Sequence, residues 1–590
     1  MIVDTKSSII SNLVELFSHL PSPYKIRCLA LILLMIVSSI AEIFSIGAVI
    51  PFIAALMSPS EILSYPILGD ALYFLNIESP KQVVFATTLI FCLASVTAAV
   101  IKLYYQWAQV KFSTSMIRIF ALKAYSNIIN LSFEEHVQLN SSKIVSGVFL
   151  KVNHVFVQIL VPCFSLTNSL IMAVGIITIL LIINPWASIL LISGLGLAYG
   201  ISHFILKARI DNHGSVISSE QDTIVKSLKD SMGSIKEIIM KNTQPLYIEK
   251  FKYSDRKLKT SQALIEFYKI SPRYIVEGVI MIVFAVAAYY MLEVNQSSQP
   301  QAFASLTAIA LAGMKLFPVV QNSFSNVAGI KSYNSTLSDV LGMLRLQSNQ
   351  PLSSQNAAVQ FSSSINLKDV SYEYNTNSSK LLNKINMNIK KGSKLGIIGK
   401  TGSGKTTLID LLMGLIEPSN GVITIDGVPL DSTRLKNWRS KIGFVPQDIF
   451  LLDSTIKENI AFHADETEIN MNAVIKAAKK ANLDGLIASW KDGYDTRVGE
   501  RGAMISGGER QRIGIARALY SEPEILILDE STSALDGNTE AEVMKSIDEL
   551  NNGITCIIIA HNPSCLKNCN EIFELENGRI INIGSPSQLL

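Results

Sequence analysis

The chain has 590 residues, of which 17% are charged and 49% are hydrophobic, and its net charge is +3. A chain of this length does not fold around one hydrophobic core, so at least two domains are expected. Soluble proteins carry about 25% charged residues, so part of this chain is expected to lie in lipid. The small net charge gives no sign of a nucleic-acid partner. The six cysteines form no Cys-x-x-Cys pair, which favours reduced buried thiols over a zinc site.

The N-terminal half predicts a membrane domain. Residues 1–25 carry apolar side chains at helical spacing, which indicates an interfacial helix on the membrane surface. Residues 26–340 then contain six apolar stretches long enough to cross a bilayer. They lie at roughly 27–57, 83–108, two within 155–206 that divide at Asn184-Pro185, 272–292 and 301–330.

Lysine and arginine divide the connecting segments into two classes. The segments after the second and fourth spans carry many basic residues, whereas 58–80, 184–185 and 293–300 carry none. Because basic loops stay in the cytoplasm, the two basic segments, both termini and the C-terminal domain are predicted to be cytoplasmic. The protein is thus expected to be a multi-pass membrane protein whose spans continue as helices beyond the bilayer.

Ionisable residues inside the spans are functional candidates because charge in lipid is unfavourable. They are Glu42, Lys102, Arg273, Glu277 and Lys315. Arg273 and Glu277 are four residues apart and share a helix face, so an ion pair within the helix is an equally good explanation. Arg273 and Lys315 together predict a cavity that attracts an anionic group, unless both side chains face lipid.

A polar stretch separates this half from the rest of the chain. Residues 347–364 are rich in Ser, Gln and Asn, which is typical of a tether. We therefore place a linker at 341–364 and a nucleotide-binding domain at 365–590.

Residues 399–406 read Gly-Lys-Thr-Gly-Ser-Gly-Lys-Thr and fit the pattern G-x-x-x-x-G-K-[ST] at every fixed position. A short apolar strand precedes them and a helix follows, which is the context of a phosphate-binding loop. Lys405 is predicted to reach the β- and γ-phosphates and Thr406 to bind Mg²⁺. The predicted ATP contacts are Gly399, Lys400, Thr401, Gly402, Ser403, Gly404, Lys405, Thr406 and Thr407.

Further polar residues follow apolar strands. Gln447 ends one strand, Asp529 and Glu530 end another, and His561 follows a third. Gln447 and Asp529 are suited to Mg²⁺, and Glu530 is placed to polarise water for attack on the γ-phosphate. His561 is expected to contact the same phosphate. Upstream, Tyr374 is either an adenine-stacking ring or an ordinary strand aromatic.

A second glycine-containing motif opens a helix and predicts another anion-binding N-terminus. It reads Ile505-Ser506-Gly507-Gly508-Glu509. In their order along residues 365–590, these motifs resemble the ATPase domain of ABC transporters, including Ser533-Ala-Leu-Asp536. Two departures are Ile and Glu at the ends of 505–509, where the family has Leu and Gln, and Asn562-Pro563 in place of an Arg after His561.

The resemblance implies a homodimer in which each ATP lies between one phosphate loop and residues 506–509 of the other subunit. It also implies that residues 133–140 and 242–251 are coupling helices, which transmit closure of the ATPase pair to the spans. The expected fold is an α-helical membrane domain of ABC exporter type with six transmembrane helices, followed by an α/β P-loop ATPase domain.

The membrane half resembles the lipid-linked oligosaccharide flippases of bacterial N-glycosylation, the PglK family. The similar stretches are 41–47, 51–53, 58–80, 271–278 and 315–318. The resemblance implies a transporter of a lipid-linked oligosaccharide or related glycolipid in the bacterial cytoplasmic (inner) membrane, in contact with membrane lipids. By this resemblance, Arg273 matches one position that engages the substrate pyrophosphate and Lys315 replaces another with the same charge, while Ala98 stands near a third position that is basic in the family.

Other functions remain open at this point. One is an exporter of other lipids, peptides or drugs, and another is an ATP-gated membrane protein that does not pump. Glu530 favours ATP turnover, and measured hydrolysis separates pumping from gating. A soluble ABC ATPase acting on DNA or ribosomes is incompatible with six spans.

Overall fold

The computed structural model describes residues 8–57, 59, 79–183, 185–289, 299–346, 357–373, 380–462, 466–530, 537–549, 553–560 and 563–589. The chain forms two compact units. The first consists of Met1–Leu131 and Val137–Gln347, and the second of Ser132–His136 and Ser348–Leu590.

The first unit is helical. Its helices are α1 (Ile9–Ser18), α2 (Ser22–Gly47), α3 (Val49–Met57), α4 (Pro80–Ile129), α5 (Phe133–Gln138, which begins in the second unit), α6 (Ser141–Val145), α7 (Val152–Val155), α8 (Val161–Ile183), α9 (Pro185–Gly233), α10 (Ile235–Met240), α11 (Gln244–Tyr289), α12 (Gln299–Ser332) and α13 (Asn334–Arg345). Two π-helical turns, Ser146–Lys151 and Phe156–Leu160, flank α7.

Several helices are much longer than the roughly 20 residues that cross a bilayer. α4 has 50 residues, α9 has 49 and α11 has 46. Within the described residues, Ser22–Leu56, Pro80–Ile129 and Ser141–Ile182 are long and apolar enough to span a membrane. The other three predicted spans fall largely in α9, α11 and α12, so the count of six stays a prediction.

The N-terminal helix α1 packs against the protein on one side. Asn12 Nδ2 donates to Asn334 Oδ1 at 3.1 Å and to Ser338 Oγ at 3.3 Å, both on α13. Ile10 and Val14 lie exposed on α1, four residues apart. The predicted interfacial helix therefore has a protein-facing side as well as apolar side chains available to lipid.

The linker predicted at 341–364 begins later than expected. α13 continues to Arg345, because Leu341 and Leu344 are buried in the same hydrophobic cluster as α1 and the end of α4. Arg345 also makes a bidentate ion pair with Glu15 on α1, at 2.5 Å and 2.6 Å. Residues 341–345 thus belong to the helical unit.

The second unit contains two sheets. Its strands are β1 (Ser364–Tyr372), β2 (Leu382–Lys390), β3 (Lys394–Ile398), β4 (Asn420–Ile425), β5 (Val428–Pro429), β6 (Ile442–Val445), β7 (Ile525–Asp529), β8 (Thr555–Ile559), β9 (Glu571–Glu576) and β10 (Arg579–Gly584). One sheet has the order β2-β1-β4-β5 and the other β10-β9-β3-β8-β7-β6. β9, β3, β8, β7 and β6 run parallel.

The helices of this unit are α14 (Lys405–Leu412), α15 (Leu435–Arg439), α16 (Ile456–Ala461), α17 (Met471–Lys480), α18 (Asp484–Ser489), α19 (Gly507–Tyr520), α20 (Gly537–Glu549) and α21 (Pro586–Leu589). Short 3₁₀ turns cover Glu466–Glu468, Gly493–Asp495, Glu500–Gly502 and Pro563–Leu566.

The parallel sheet is apolar on both faces. On β7, Leu526 and Leu528 face the cluster that contains α17, α19 and α20. Ile525 and Ile527 face the opposite cluster, which contains α14 and the smaller sheet. Successive side chains of a strand point to opposite faces, so a continuous apolar run is what a strand covered on both sides requires.

Trp438 on α15 anchors α14, the helix that follows the phosphate loop. Its side chain is 1% exposed, and its ring lies 6.1 Å from that of Phe361 in an edge-to-face arrangement. The indole Nε1 donates to the carbonyl of Leu412, at the end of α14, at 2.8 Å.

We expect Trp438→Phe to lower the free energy of unfolding of the second unit by about 1–3 kcal/mol, because it leaves the buried Leu412 carbonyl unpaired. The urea midpoint of this unit, followed by pulse proteolysis of the full-length protein, measures the change. Trp490→Phe, at a partly exposed position, is the control. Equal losses in both variants would contradict a specific role for the Leu412 bond.

Candidate functional site

The candidate catalytic residues that the structure describes lie at one edge of the parallel sheet. β3, β8, β7 and β6 are neighbours in that order. The phosphate loop follows β3, Glu530 follows β7, and Gln447 comes two residues after β6. Because the carboxyl ends of parallel strands meet at the same edge, segments far apart in sequence form one site.

The phosphate loop has the geometry of an anion cradle. Gly404 has φ 104°, and a Cβ there would lie 2.8 Å from Leu382 Cδ2. Lys405 begins α14, and its Nζ donates to the carbonyl of Gly399 at 2.6 Å and to that of Lys400 at 3.2 Å. The Ser403 hydroxyl is buried with no hydrogen-bond partner among the described residues. A bound phosphate would satisfy such a group, so these residues fit a nucleotide.

Gln447 and Glu530 are brought together by the pairing of β6 with β7. Gln447 Nε2 donates to Glu530 Oε2 at 2.6 Å. Glu530 has φ 47°, a left-handed conformation that costs a non-glycine residue about 1–3 kcal/mol. Its backbone N–H donates to the Ile559 carbonyl on β8 at 3.0 Å. Strand pairing therefore holds this carboxylate in a strained conformation next to the glutamine amide.

Asp529 precedes Glu530 at the end of β7 and is half-buried. Burial raises the pKa of its carboxyl, the neighbouring Glu530 adds to that rise, and Lys405 opposes it. Within the described part of the chain, no group of three or more His, Cys, Asp or Glu side chains forms a metal site by itself. Asp529, Gln447 and the exposed Thr406 offer oxygen atoms, which is the chemistry Mg²⁺ prefers when it also binds nucleotide phosphates.

Sequence reasoning missed Asp410 on α14. Burial raises the pKa of this carboxyl to about 6, and the charge of Asp529 contributes to the rise. Asp410 lies one helical turn after Thr406, so the two share a helix face. The four-residue spacing from Thr406 could have indicated that Asp410 lies near the candidate site, but an acid inside a helix is more often a solvated surface residue.

Residues 506–509 form a complete capping box at the start of α19. The Glu509 N–H donates to Ser506 Oγ at 3.3 Å, and the Ser506 N–H donates to Glu509 Oε2 at 2.7 Å. Glutamate and glutamine both serve in this role. The departure at Glu509 is therefore compatible with a formed helix start, and Ser506 and Gly507 remain exposed.

Two predicted nucleotide contacts, Tyr374 and His561, lie outside the described residues, as does the 533–536 motif. Close to the first of them, Tyr372 at the end of β1 donates its hydroxyl to Glu134 Oε1 at 2.8 Å. Glu134 belongs to Ser132–His136, the short segment that the second unit includes.

In the first unit, Arg273 and Glu277 form the ion pair that their spacing allowed. Arg273 Nε lies 2.9 Å from Glu277 Oε1, and their side chains are 53% and 45% exposed. The Arg273 guanidinium lies 5.9 Å from the ring centroid of Phe317, two residues after Lys315 on α12. Lys315 is exposed. Lys102 is paired with Glu42 at 2.7 Å and joins α4 to α2, which indicates a structural role.

A polar network beside Arg273 was also missed. Lys269, one turn before Arg273, is buried, with Nζ 2.7 Å from Glu266 Oε1 and 3.0 Å from Gln158 Oε1. Gln321 on α12 donates to the Lys269 carbonyl at 2.9 Å and accepts from the Tyr199 hydroxyl at 2.7 Å. α9, α11 and α12 are thus joined by polar contacts next to the candidate cations.

The raised pKa of Asp410 predicts a pH-dependent stability. The unfolded carboxyl titrates near pH 4, so the protonated form stabilises the fold below about pH 4, and this contribution is lost as the pH rises through about 6. At pH 7.5, Asp410→Asn should raise the free energy of unfolding of the nucleotide-free second unit by about 1–3 kcal/mol.

Urea midpoints of this unit between pH 7.5 and pH 5 measure the effect, and the advantage of the variant should shrink as the pH falls. Asp431→Asn is the control with the opposite sign. Hydrogen bonding to the Thr433 hydroxyl and the nearby Arg434 hold the pKa of Asp431 below its ordinary value. An advantage of Asp410→Asn that stays constant over this range would contradict the assignment.

Comparisons with known proteins agree with this geometry. A family model described as ABC transporter matches residues 382–533. The ATP-dependent lipid A-core flippase of Legionella pneumophila (strain Paris) is 28% identical over 481 residues, 81% of this chain and 80% of that protein. The lipid A-core flippase of Saccharophagus degradans is 43% identical over 229 residues, 38% of each chain. The leukotoxin translocation ATP-binding protein LktB of a Pasteurella haemolytica-like species is 44% identical over 227 residues, 38% of this chain and 32% of that protein.

The chain thus spans about four fifths of one of these relatives and roughly a third of the other two. A solved structure of a bacterial Atm1-family ABC exporter with ATP bound covers 96% of both chains with a TM-score of 0.78 and 21% identity. The expected fold, a helical membrane domain followed by an α/β P-loop ATPase domain, is confirmed. The chain thus has the fold of an ABC exporter half-transporter, carries a match to the ABC transporter family model over residues 382–533, and is similar in sequence to the lipid A-core flippases.

Proposed function

We propose that the chain works as a homodimeric, ATP-driven flippase that moves a lipid-linked oligosaccharide or related glycolipid across the bacterial cytoplasmic (inner) membrane. The substrate class is inferred from the position of Arg273, whose half-exposed guanidinium lies beside Phe317 on the neighbouring helix α12. The exposed Lys315 lies two residues before Phe317 on that helix. Two cations on predicted membrane helices suit a lipid whose head group is anionic.

A second copy of this chain would complete the nucleotide site. Each chain carries one phosphate loop and one set of residues 506–509. Ser506 and Gly507 are exposed at the start of α19, so they are available to a partner. ATP bound between two chains would therefore stabilise the dimer by mass action.

The two segments expected to be coupling helices, 133–140 and 242–251, differ in a way that supports a dimer. Ser132–His136 belongs to the second unit of the same chain. Around the other turn, α10 and the start of α11 expose a set of large apolar side chains, namely Ile235, Ile239, Met240, Leu246 and Ile248. An exposed apolar patch of this kind is typical of an interface, and the partner's ATPase domain is the surface proposed to cover it.

The residues of the sheet edge have complementary roles in hydrolysis. Mg²⁺-bound ATP supplies the reactive γ-phosphate. Lys405 and the backbone N–H groups of the phosphate loop bind the negatively charged phosphate oxygens. Gln447 positions the Glu530 carboxylate through a 2.6 Å hydrogen bond. Glu530 is proposed to accept a proton from the attacking water.

Glu530→Gln should retain ATP binding and lower turnover by about 10²–10⁴-fold, the usual contribution of a general base. Radiolabelled ATP binding and phosphate release by the full-length protein separate the two effects. Glu522→Gln, an exposed acid that pairs with Lys476, is the control. Undiminished hydrolysis in Glu530→Gln would assign the base to another residue.

An anionic head group meets a large barrier in the hydrocarbon core, because unpaired charge is poorly solvated there. A guanidinium can lower this barrier by bonding phosphate oxygens in a planar, bidentate manner. The polyprenyl tail of such a lipid can stay in the bilayer while the head crosses, so only the head requires a polar path.

The test is ATP-dependent movement of a fluorescent polyprenyl-pyrophosphate oligosaccharide in proteoliposomes. Arg273→Ala should reduce transport by roughly 10- to 150-fold, the value of one charged hydrogen bond, and Lys315→Ala should also reduce it. Lys81→Ala removes an exposed cation at the start of α4 and should leave transport unchanged.

Two outcomes would contradict the proposal. ATP hydrolysis without glycolipid movement would remove the substrate assignment and favour an exporter of other lipids, peptides or drugs. Normal transport in both Arg273→Ala and Lys315→Ala would place these side chains away from the substrate path.

A further inference from the structure

A buried ion cluster lies in the first unit, away from the Arg273 region. Lys151 is 3% exposed, and its Nζ lies 2.9 Å from Asp222 Oδ2 and 2.6 Å from Asp339 Oδ2. Ser146 Oγ donates to Asp222 Oδ1 at 2.5 Å, and Ser218 Oγ donates to Asp339 Oδ2 at 2.7 Å. One ammonium and two hydroxyls thus satisfy two carboxylates.

The members of this cluster come from three segments. Ser146 and Lys151 lie on the first π-helical turn, Ser218 and Asp222 on α9, and Asp339 on α13. π-helical turns are rare and frequently mark functional sites. Here the turn widens the helix at the point where both of its side chains reach α9.

The cluster lies near both places where the chain passes between the two units. The chain enters the second unit after Leu131 and returns at Val137, shortly before the π-helical turn. It leaves again after Gln347, directly after α13. Asn127, shortly before the chain enters the second unit, also donates to the carbonyls of Met343 and Leu344 on α13, at 3.3 Å and 3.0 Å.

The ion cluster adds to the buried apolar side chains that hold α13 at this point. A cleft of about 210 Å³ lies beside the cluster and is lined by Ile128, Lys143, Lys151, Asp222, Asp339 and Met343. Apolar side chains often replace a buried ion pair without loss of stability, so such a cluster is weak evidence for stability and better evidence for a fixed arrangement.

We propose that Lys151, Asp222 and Asp339 are positioning residues that make segments 141–151 and 334–345, each next to a point where the chain passes between the units, move as one body with α9. When the ATPase unit closes, the displacement of these two segments then also moves α9 and the membrane helices, and is not confined to the two segments. The transport part of this inference rests on the proposed function, whereas the joint movement of the segments does not.

Asp339→Asn is the sharpest variant, because it leaves the Lys151–Asp222 pair intact and no charge unpaired. Basal ATP hydrolysis by the full-length protein should persist, while transport per ATP should fall about tenfold, within the usual range of coupling between sites. Glu220→Gln, on α9 near Asp222, removes an acid that is paired with Lys257 at a longer 3.7 Å and is the control. Lys151→Arg keeps the charge and should retain coupling.

Hydrogen–deuterium exchange with and without ATP and vanadate tests the joint movement without any substrate. In the wild-type protein, nucleotide trapping should change exchange in 141–151 and 334–345 together. In Asp339→Asn, nucleotide trapping should change exchange in one of these segments without an equal change in the other. Ser218→Ala, which removes one hydrogen bond to Asp339 and no charge, should show a smaller effect in the same direction and serves if Asp339→Asn fails to fold.

Two results would overturn the inference. One is a joint response of both segments in a folded Asp339→Asn or Ser218→Ala protein. The other is a fall of hydrolysis and transport by the same factor, which marks a merely structural role. If the wild-type protein moves no glycolipid, the proposed function fails, and the exchange experiment still decides the role of the cluster.

Discussion

The parallel pairing of β3, β8, β7 and β6 is the constraint on which the nucleotide site depends. Its register sets Leu395 opposite Ile557, and Asp529 opposite Ile559. A shift of one residue would turn every buried side chain to the other face, and both faces of the sheet are covered by apolar clusters. Because both clusters are close-packed, a shifted strand would overpack some positions and leave voids at others. Steric fit thus fixes the register, and the register brings the phosphate loop, Glu530 and Gln447 to one edge.

This constraint explains why residues far apart in sequence meet in the candidate nucleotide site. Lys405, Gln447 and Glu530 each come at or soon after the end of an apolar run, and the order of these motifs resembles that of ABC ATPase domains, so the sequence predicts that they share one site. Asp410 follows no strand and lies inside α14, where the pattern of the helix gives an acid no distinction from a surface residue. Its proximity to Asp529 depends on how α14 packs on the sheet, and that is tertiary information.

In the helical unit, the predicted apolar spans coincide with parts of the long helices α2, α4, α8, α9, α11 and α12, but their lengths gave few of the polar contacts. Lys151 lies 71 residues from Asp222 and 188 from Asp339, and it occurs in a basic segment where a lysine is ordinarily solvated. Lys269 was passed over for the same reason, one turn before Arg273. Helical periodicity identifies which residues share a face, but the partner of that face is set by packing between distant helices.

The Arg273–Glu277 pair and a role of Arg273 in substrate binding are compatible. A guanidinium has five N–H donors in a fixed plane, and the bond to Glu277 uses Nε. The carboxylate therefore orients the side chain beside Phe317 and leaves donors for phosphate oxygens. Both side chains are about half exposed, so part of each is accessible to a ligand. An ion pair of this kind reduces the conformational entropy that the side chain would lose on binding an anionic ligand.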